Sequence, residues 1–427
     1  MGQATIFINY LLDKAQFIPD QVYEKAKDCL FDYLAVTEAG ARVNKKCWDN
    51  YLRYVGNGTA PVIGYEVVSD SKTAALINGF NSHSLELDDG QRFAMIHLGG
   101  SIISALISAE SENNIDRRDL LRGIVIGYEA ACRISIAMQP SHKKCGFHTA
   151  GTCGTIGAAI AVAVALKMSK RQIETVLAAA ATSATGILEI QEQASELKPY
   201  NIGRAAMDGL TAAYMGLTGF CGPDDILDGE RGFMKLFSRK CEMGKMVESA
   251  EYYEIERIYV KPYAACRHCH SAIEAALTIR EKFDSETDIK TIEKIEVQTY
   301  HLAMKGHDHT EIIGTSSAKL SIPYSVAAAF ILGKADVSVF ELQNTIRQDI
   351  LELTRRVMVY ENPDFTKESP EKRIAKVTVF YKDKVFSEQV NYAKGDPENP
   401  MNRHEIIKKA SLLLGDRASD IVNYVYD

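Results

Sequence analysis

Tryptophan occurs once in 427 residues, at Trp48, and proline only eleven times. So little proline leaves long stretches free to run as helix. No block of like charge is present. The chain carries 49 Lys and Arg against 56 Asp and Glu, a net charge of −7. An extended nucleic-acid or acidic-lipid surface is therefore not expected. The first residues, MGQATIFINYLLDKAQ, lack a basic stretch followed by an apolar core, so they do not read as a signal peptide. Gly2 is followed at position 6 by Ile rather than Ser or Thr, which fails the myristoylation pattern. The longest run without charge or histidine, residues 149–166, is mostly Ala, Gly and Thr. It reads as a buried helix rather than a membrane span. Nine cysteines without a secretion signal suggest reduced thiols and a cytoplasmic setting. GxxxxGK[ST], HExxH and GxSxG are all missing, and Gly154-Thr-Ile-Gly157 is not GxGxxG. Nucleotide-dependent chemistry has no support.

What is present is an ordinary globular composition, 46% apolar and 25% charged, long enough for about two to four domains. Apolar residues at Val22, Ala26, Cys29, Leu30, Tyr33 and Leu34 follow the spacing of one helix face. Further helices are expected at 71–86, 99–112, 117–139, 153–167, 170–185 and 203–218. Many are rich in Ala and Gly, which lets helix axes approach closely. The pattern changes after about residue 255. Residues 294–300 alternate like a half-buried strand. Residues 374–381 and 385–392 do the same on either side of Lys382-Asp383-Lys384, which predicts a hairpin. Helices are expected at 269–283, 317–332 and 338–355, and again at 402–414. The expected fold is mainly α: a large all-helical domain (residues 1–257 and 395–427) and a smaller α+β lid domain (258–394).

Four segments concentrate reactive side chains. His83, Glu86, Asp88, Asp89 and His97 place three carboxylates and two imidazoles within fifteen residues. Carboxylates orient imidazoles or act as bases, although solvated acids at a helix end would look alike. His148 precedes a small-residue turn that opens a helix, a setting suited to anions. Lys198 lies in a turn before an Ala-rich helix and suits a substrate carboxylate. Lys261-Pro-Tyr-Ala-Ala-Cys266-Arg267-His268-Cys269-His270 falls at the junction of the two expected domains, a favoured place for small-molecule sites. Cys266-x2-Cys269 raises a zinc reading. The second ligand pair is missing at the proper spacing, and only His307-Asp308-His309 would supply one. No neighbouring motif supports a cysteine nucleophile.

Taken in order, these segments resemble the MmgE/PrpD family. The resemblance runs from Ala74-Ala75-Leu76-Ile77-Asn78-Gly79 and the acidic segment through Gly127-Tyr128-Glu129 with Arg133. It continues through GFHTAGTCGTIGAA (146–159), KPYNIGRAA (198–206), KPYAACRHCHSAIEA (261–275), AKLSIPYSVA (318–327) and Asn399-Pro400-Met401. It implies a helical domain with an α+β lid, a homodimer, a site between the domains, and no metal or organic cofactor. It points to His97, His148, His270, Tyr324 and Asp88 as catalytic residues. Glu86, Asp89, Lys198, Arg267 and His268 would bind substrate. His97 or His148 would be the base and His270, with Tyr324, the opposing acid. Lys198 and Arg267 would hold carboxylates. The implied activity is a lyase on a small di- or tricarboxylic acid, a dehydratase or decarboxylase, acting by proton transfer next to a carboxylate. An epimerase of an amino- or imino-dicarboxylate and a non-catalytic ligand-binding homologue are the alternatives. The expected partner is a small polycarboxylate, with no nucleic acid and no membrane. This chain departs from the family pattern at Glu86 (usually Asp), Gly90 (usually Thr) and Leu98 (commonly Pro), and a reshaped pocket would select a different substrate.

Overall fold

A computed structural model describes residues 2–283 and 291–427. The chain opens with α1 (Gln3–Gln16) and α2 (Asp20–Tyr51). A short antiparallel pair, β1 (Ala60–Pro61) and β2 (Val68–Ser69), leads to α3 (Ser71–His83), α4 (Gly99–Glu110) and α5 (Arg117–Met138). Then come α6 (Ser141–Lys144), α7 (Thr149–Ala165), α8 (Lys170–Ser183), α9 (Tyr200–Met215) and α10 (Phe233–Phe237). Every residue of α7 is buried, with α4, α5, α8 and α9 packed around it. A helix that is apolar all round belongs in such a core. Among the described residues, no helix is long and apolar enough to cross a membrane.

Glycine sets how closely α3 and α9 cross. A Cβ on Gly203 would stand 2.3 Å from the Leu76 carbonyl oxygen, and one on Gly79 would stand 2.8 Å from Gly203 Cα. Backbone therefore meets backbone. This contact brings the end of α3, at His83, beside the turn that carries Lys198 into α9.

The α+β domain follows with α11 (His270–Arg280), β3 (Lys294–Thr299), α12 (His301–Met304), α13 (Thr315–Leu320) and α14 (Ile322–Leu332). It continues with α15 (Leu342–Thr345), α16 (Gln348–Thr354), β4 (Val357–Glu361), α17 (Pro363–Glu368), β5 (Ala375–Tyr381) and β6 (Lys384–Val390). The sheet order is β4-β3-β5-β6. β3 pairs parallel with β4 and antiparallel with β5, so Val297 faces both Val359 and Val377 in register. Ile295, Val297, Val377 and Val379 are fully buried, and α11 and α14 pack against the sheet. The expected hairpin is β5–β6, turning at Lys382 and Asp383.

Two expected helices are broken. The 317–332 segment divides at Ser321, whose hydroxyl accepts from the Tyr324 N–H and so starts a new helix. The 338–355 segment is a single tight turn followed by the two short helices α15 and α16 rather than one helix. Several elements went unforeseen, two of which matter here. β4 is a mostly exposed edge strand that pairs parallel, so no turn announces it. The other is α19 (Arg417–Tyr426), which follows α18 (Arg403–Leu414).

α18 and α19 pack on α2. Lys409 Nζ lies 2.7 Å from Asp32 Oδ1, both side chains buried, and also donates to the Leu87 carbonyl at 2.9 Å. The loop after α3 is thus tied to a helix more than three hundred residues away. Removing one partner of a buried pair leaves a bare charge behind. Lys409→Met is expected to cost about 3–5 kcal/mol in chemical denaturation, and Lys409→Met with Asp32→Leu to recover most of that loss. Equal destabilisation in both variants would contradict the pairing.

Candidate active site

The loop between α3 and α4 turns its acids inward. His83 Nδ1 lies 2.7 Å from Asp88 Oδ2, and its Nε2 lies 3.3 Å from Glu86 Oε1. Glu86 adopts a left-handed backbone with φ of +53°, a conformation that costs a non-glycine residue about 1–3 kcal/mol. The turn delivers its carboxylate between two lysines. Lys198 pairs with Oε1, and Lys261, itself fully buried, lies 3.0 Å from Oε2 and 3.3 Å from Asp88 Oδ1.

Charge follows from this geometry. Burial pushes the Glu86 and Asp88 carboxyls up. For Glu86 the Lys198 and Lys261 cations more than reverse it; for Asp88 the imidazoles of His83 and His97, then Lys261, do so. Both are held well below the usual carboxylate range. Burial also opposes charge on His83, but Asp88 and Glu86 prevail and raise its pKa. Burial opposes charge on Lys198 as well, and Glu86 overcomes it. Lys319 donates to the Ser84 carbonyl at 2.9 Å, and burial brings it down to about 8. Three lysines, Lys198, Lys261 and Lys319, therefore stand around two carboxylates, with His83 drawn toward its charged form.

Two further imidazoles are neutral. His97 Nδ1 donates to the Asp89 carbonyl at 2.7 Å, which leaves the lone pair on Nε2. Burial pulls its pKa down to about 4, and Asp88, 3.2 Å from Nδ1, offsets this only in part. The His97 and His83 rings lie 4.8 Å apart. His148 stands at the position just before α7, and its buried Nδ1 has no hydrogen-bond partner. Burial, then Lys198, hold it well below the ordinary histidine value.

The structure thus gathers Glu86, Asp88, His97, His148 and Lys198, and adds His83, which the sequence marked as a reactive side chain without a role, together with Lys261 and Lys319. Lys261 was visible only as the head of its motif, and Lys319 as part of the 318–327 segment. Five expected site residues lie elsewhere. Asp89 accepts from Tyr128 Oη at 2.6 Å and from the Leu98 and Gly99 N–H groups at 3.3 and 3.0 Å, so it starts α4 rather than meeting a ligand. Tyr324 does not aim its hydroxyl at the junction. It is fully buried within the α+β domain and donates to the Val339 carbonyl at 2.8 Å. His270 is fully buried with both ring nitrogens engaged, by Arg267 at 2.9 Å and the Ala265 carbonyl at 3.1 Å. Arg267 is paired with Asp396 at 2.7 Å and donates to the Ala393 and Lys394 carbonyls. His268 is half-buried and meets Tyr300 Oη at 2.5 Å. The Gly90 departure has a steric reason. A Cβ there would stand 2.4 Å from Tyr259 Oη, and the two residues bridge through their backbones.

Among the described residues, one group has the composition of a cation site: His83, Asp88 and His97. Its chemistry does not fit. The His97 Nδ1 lone pair is spent on a proton held by the Asp89 carbonyl, His83 is bound to Asp88 through a proton, and Lys261 already neutralises Asp88. Among the described residues, neither Cys266 nor Cys269 belongs to a group of three or more such ligands.

A layered helical bundle with a small α+β domain, joined at a cation-rich acid–base cluster, defines the class of molecule. The MmgE/PrpD N-terminal domain model matches residues 13–245 and the C-terminal domain model matches residues 263–421. The chain belongs to the MmgE/PrpD family. It is 24% identical over 426 residues to a cis-aconitate decarboxylase of Aspergillus terreus, covering 93% of this chain and 86% of that one. It is 23% identical over 437 residues to the cis-aconitate decarboxylase of Mus musculus, covering 96% and 87%, and 24% identical over 364 residues to that of Homo sapiens, covering 82% and 75%. Family and relatives place the chain among enzymes acting on small molecules.

In histidine-labelled protein followed by NMR, His97 is expected to titrate near 4 and His83 above its ordinary value of 6.5. Lys261→Met should raise the His97 value, because that lysine opposes charge on the ring. For His83 the folded pKa is the higher one. Its contribution to stability is therefore complete below the unfolded value of about 6.5 and fades as the pH rises through the folded value. His83→Gln should remove that segment of the stability-against-pH curve, and an unchanged curve would refute the assignment.

Proposed function

We propose that the protein is a lyase of small di- or tricarboxylic acids, a dehydratase or decarboxylase. It works by general acid–base proton transfer next to a carboxylate, without metal or organic cofactor. The observation that carries this reading is a neutral imidazole, His97, with its Nε2 lone pair free, set beside a cluster in which Lys198, Lys261 and Lys319 face the Glu86 and Asp88 carboxylates. A substrate carboxylate supplies the negative charge that Lys198, Lys261 and Lys319 leave unbalanced. Proton loss from the adjacent carbon drives further negative charge onto that carboxylate. Fixed cations stabilise the increase, and losing one such donor commonly costs about 3–4 kcal/mol. His97 Nε2, or His148 beside it, takes the proton. Asp88 and the Asp89 carbonyl keep the His97 ring in its working tautomer. The names of the relatives favour a decarboxylase or a close variant of it.

An epimerase of an amino- or imino-dicarboxylate is the second reading. Glu86, longer than the usual Asp, and the Tyr259 ring packed over Gly90 alter the region where such a substrate would be distinguished. The accompanying proposals are a homodimer and a cytoplasmic setting. The latter is supported by nine free cysteines, two of them exposed.

The test is a panel of hydroxy-tricarboxylates, cis-aconitate-like alkenes and amino- or imino-dicarboxylates, followed by proton NMR in deuterated water. A lyase changes the alkene signals, whereas an epimerase exchanges the α proton and changes only optical rotation. His97→Gln and His148→Ala should keep their circular dichroism and lower kcat by about 10²–10⁴-fold. Full turnover in both would overturn the acid–base reading. Wild-type protein that exchanges no proton in any acid would favour the non-catalytic homologue.

A further inference from the structure

The α+β domain contributes one reactive pair that the reading above leaves unused. Cys266 precedes the turn into α11. Its N–H donates to the Lys319 carbonyl at 2.8 Å, and its carbonyl accepts from the Cys269 N–H at 2.8 Å, so the sulfur is fixed in place. Cys266 Sγ lies 3.3 Å from His307 Nε2. His307 Nδ1 lies 3.1 Å from the Lys305 carbonyl, which assigns a proton to Nδ1 and directs Nε2 at the sulfur. The His268 ring sits 5.1 Å from the His307 ring.

Cys266 is half-buried, unlike the fully enclosed Cys269, Cys153 and Cys132. The charged groups around it are those of the acid–base cluster. Burial alone would push its thiol up, but His307 and then Lys198 reverse this against the opposing Glu86, and bring it to about 6. Lys261, Lys143, Tyr300 and Cys269 also share its field. The sulfur therefore feels the same Lys198 that clasps Glu86. Meanwhile His270 and Tyr324, the expected acids of this domain, are sealed in its core.

We propose that Cys266 and His307 are the proton carrier of the α+β domain, working with His97 and His148 of the helical domain. The proposal rests on the reading of the reaction as proton transfer next to a carboxylate. In the donating step a C–H bond forms with the electron pair of the substrate carbanion. The Sγ–H bond breaks, its electrons stay on sulfur, and the next proton reaches sulfur from solvent by way of His307 Nε2. The reverse direction runs the same bonds backwards.

Two measurements separate this proposal from the lyase reading. The first is alkylation of Cys266 by iodoacetamide, followed peptide by peptide in mass spectrometry across pH. The wild-type rate should level off above about pH 6. His307→Gln should move the midpoint up by at least one unit and slow alkylation about tenfold at pH 6.5. Citrate and cis-aconitate, used as probes, should protect Cys266 at least fivefold while leaving exposed Cys47 and Cys221 unprotected. An unmoved midpoint or no protection overturns the proposal. The second is turnover in deuterated water. Cys266→Ser, with unchanged circular dichroism, should lose about 10²-fold or more in kcat with little change in KM. It should still exchange the proton handled by His97. Full kcat in Cys266→Ser and Cys266→Ala would overturn the carrier role. A wild-type protein with a protected, reactive Cys266 but no exchange in any acid would overturn the lyase reading and the carrier with it, while leaving the reactive pair established.

Discussion

The Glu86 carboxylate is the contact on which the junction of the two domains depends. It meets Lys198 from the helical side and Lys261 from the approach to the α+β domain. At 3.0 Å, one such pair attracts by about 5 kcal/mol at an effective dielectric near 20, roughly what it costs to strip water from the ions. The arrangement therefore adds little net stability, and the left-handed turn at Glu86 subtracts some. What it provides is placement. Without the carboxylate, two ammonium groups would repel across the same space. With it, they stay charged, close and aimed where a small polyanion would bind. His83 extends the same logic on the other side, its charged form favoured because Asp88 and Glu86 flank it.

Much of this was legible in the chain itself. The helical bundle declared itself through 3.6-residue spacing and small residues, and the β5–β6 hairpin through alternation about a polar turn. Glu86, Asp88 and His97 were legible because they are neighbours in sequence, and Lys198 and His148 because each stands at the start of a helix. What was illegible depended on direction or on distance. His270 and Tyr324 lie on helices whose buried face is set by the α+β core, and local sequence does not say which face that is. Arg267 was spoken for by Asp396, well over a hundred residues later. Lys261 gains its meaning from an acid 175 positions earlier, and Cys266 from a histidine 41 positions later.

The departures from the family pattern also act together. Gly90 gives up a side chain, and the Tyr259 ring fills the vacated room while its backbone pairs with Gly90. Tyr259 lies two residues before Lys261, and its ring faces His97 edge-on at 6.5 Å. A change at one loop position is thereby passed to the lysine and the imidazole that the site uses. Close analogues are separated most strongly where buried polar groups would be left without partners, and this corner holds several of them.

The tie between Lys409 and the Leu87 carbonyl has a consequence for how the molecule is made. Leu87 lies beside Glu86 and Asp88, yet its hydrogen bond and the neutralisation of Asp32 both await a residue added more than three hundred positions later. A nascent chain held at the ribosome before residue 409 carries Glu86, Asp88 and His97 while their loop lacks this anchor. Such a chain has the ingredients of the site without the tie that holds this loop against α18.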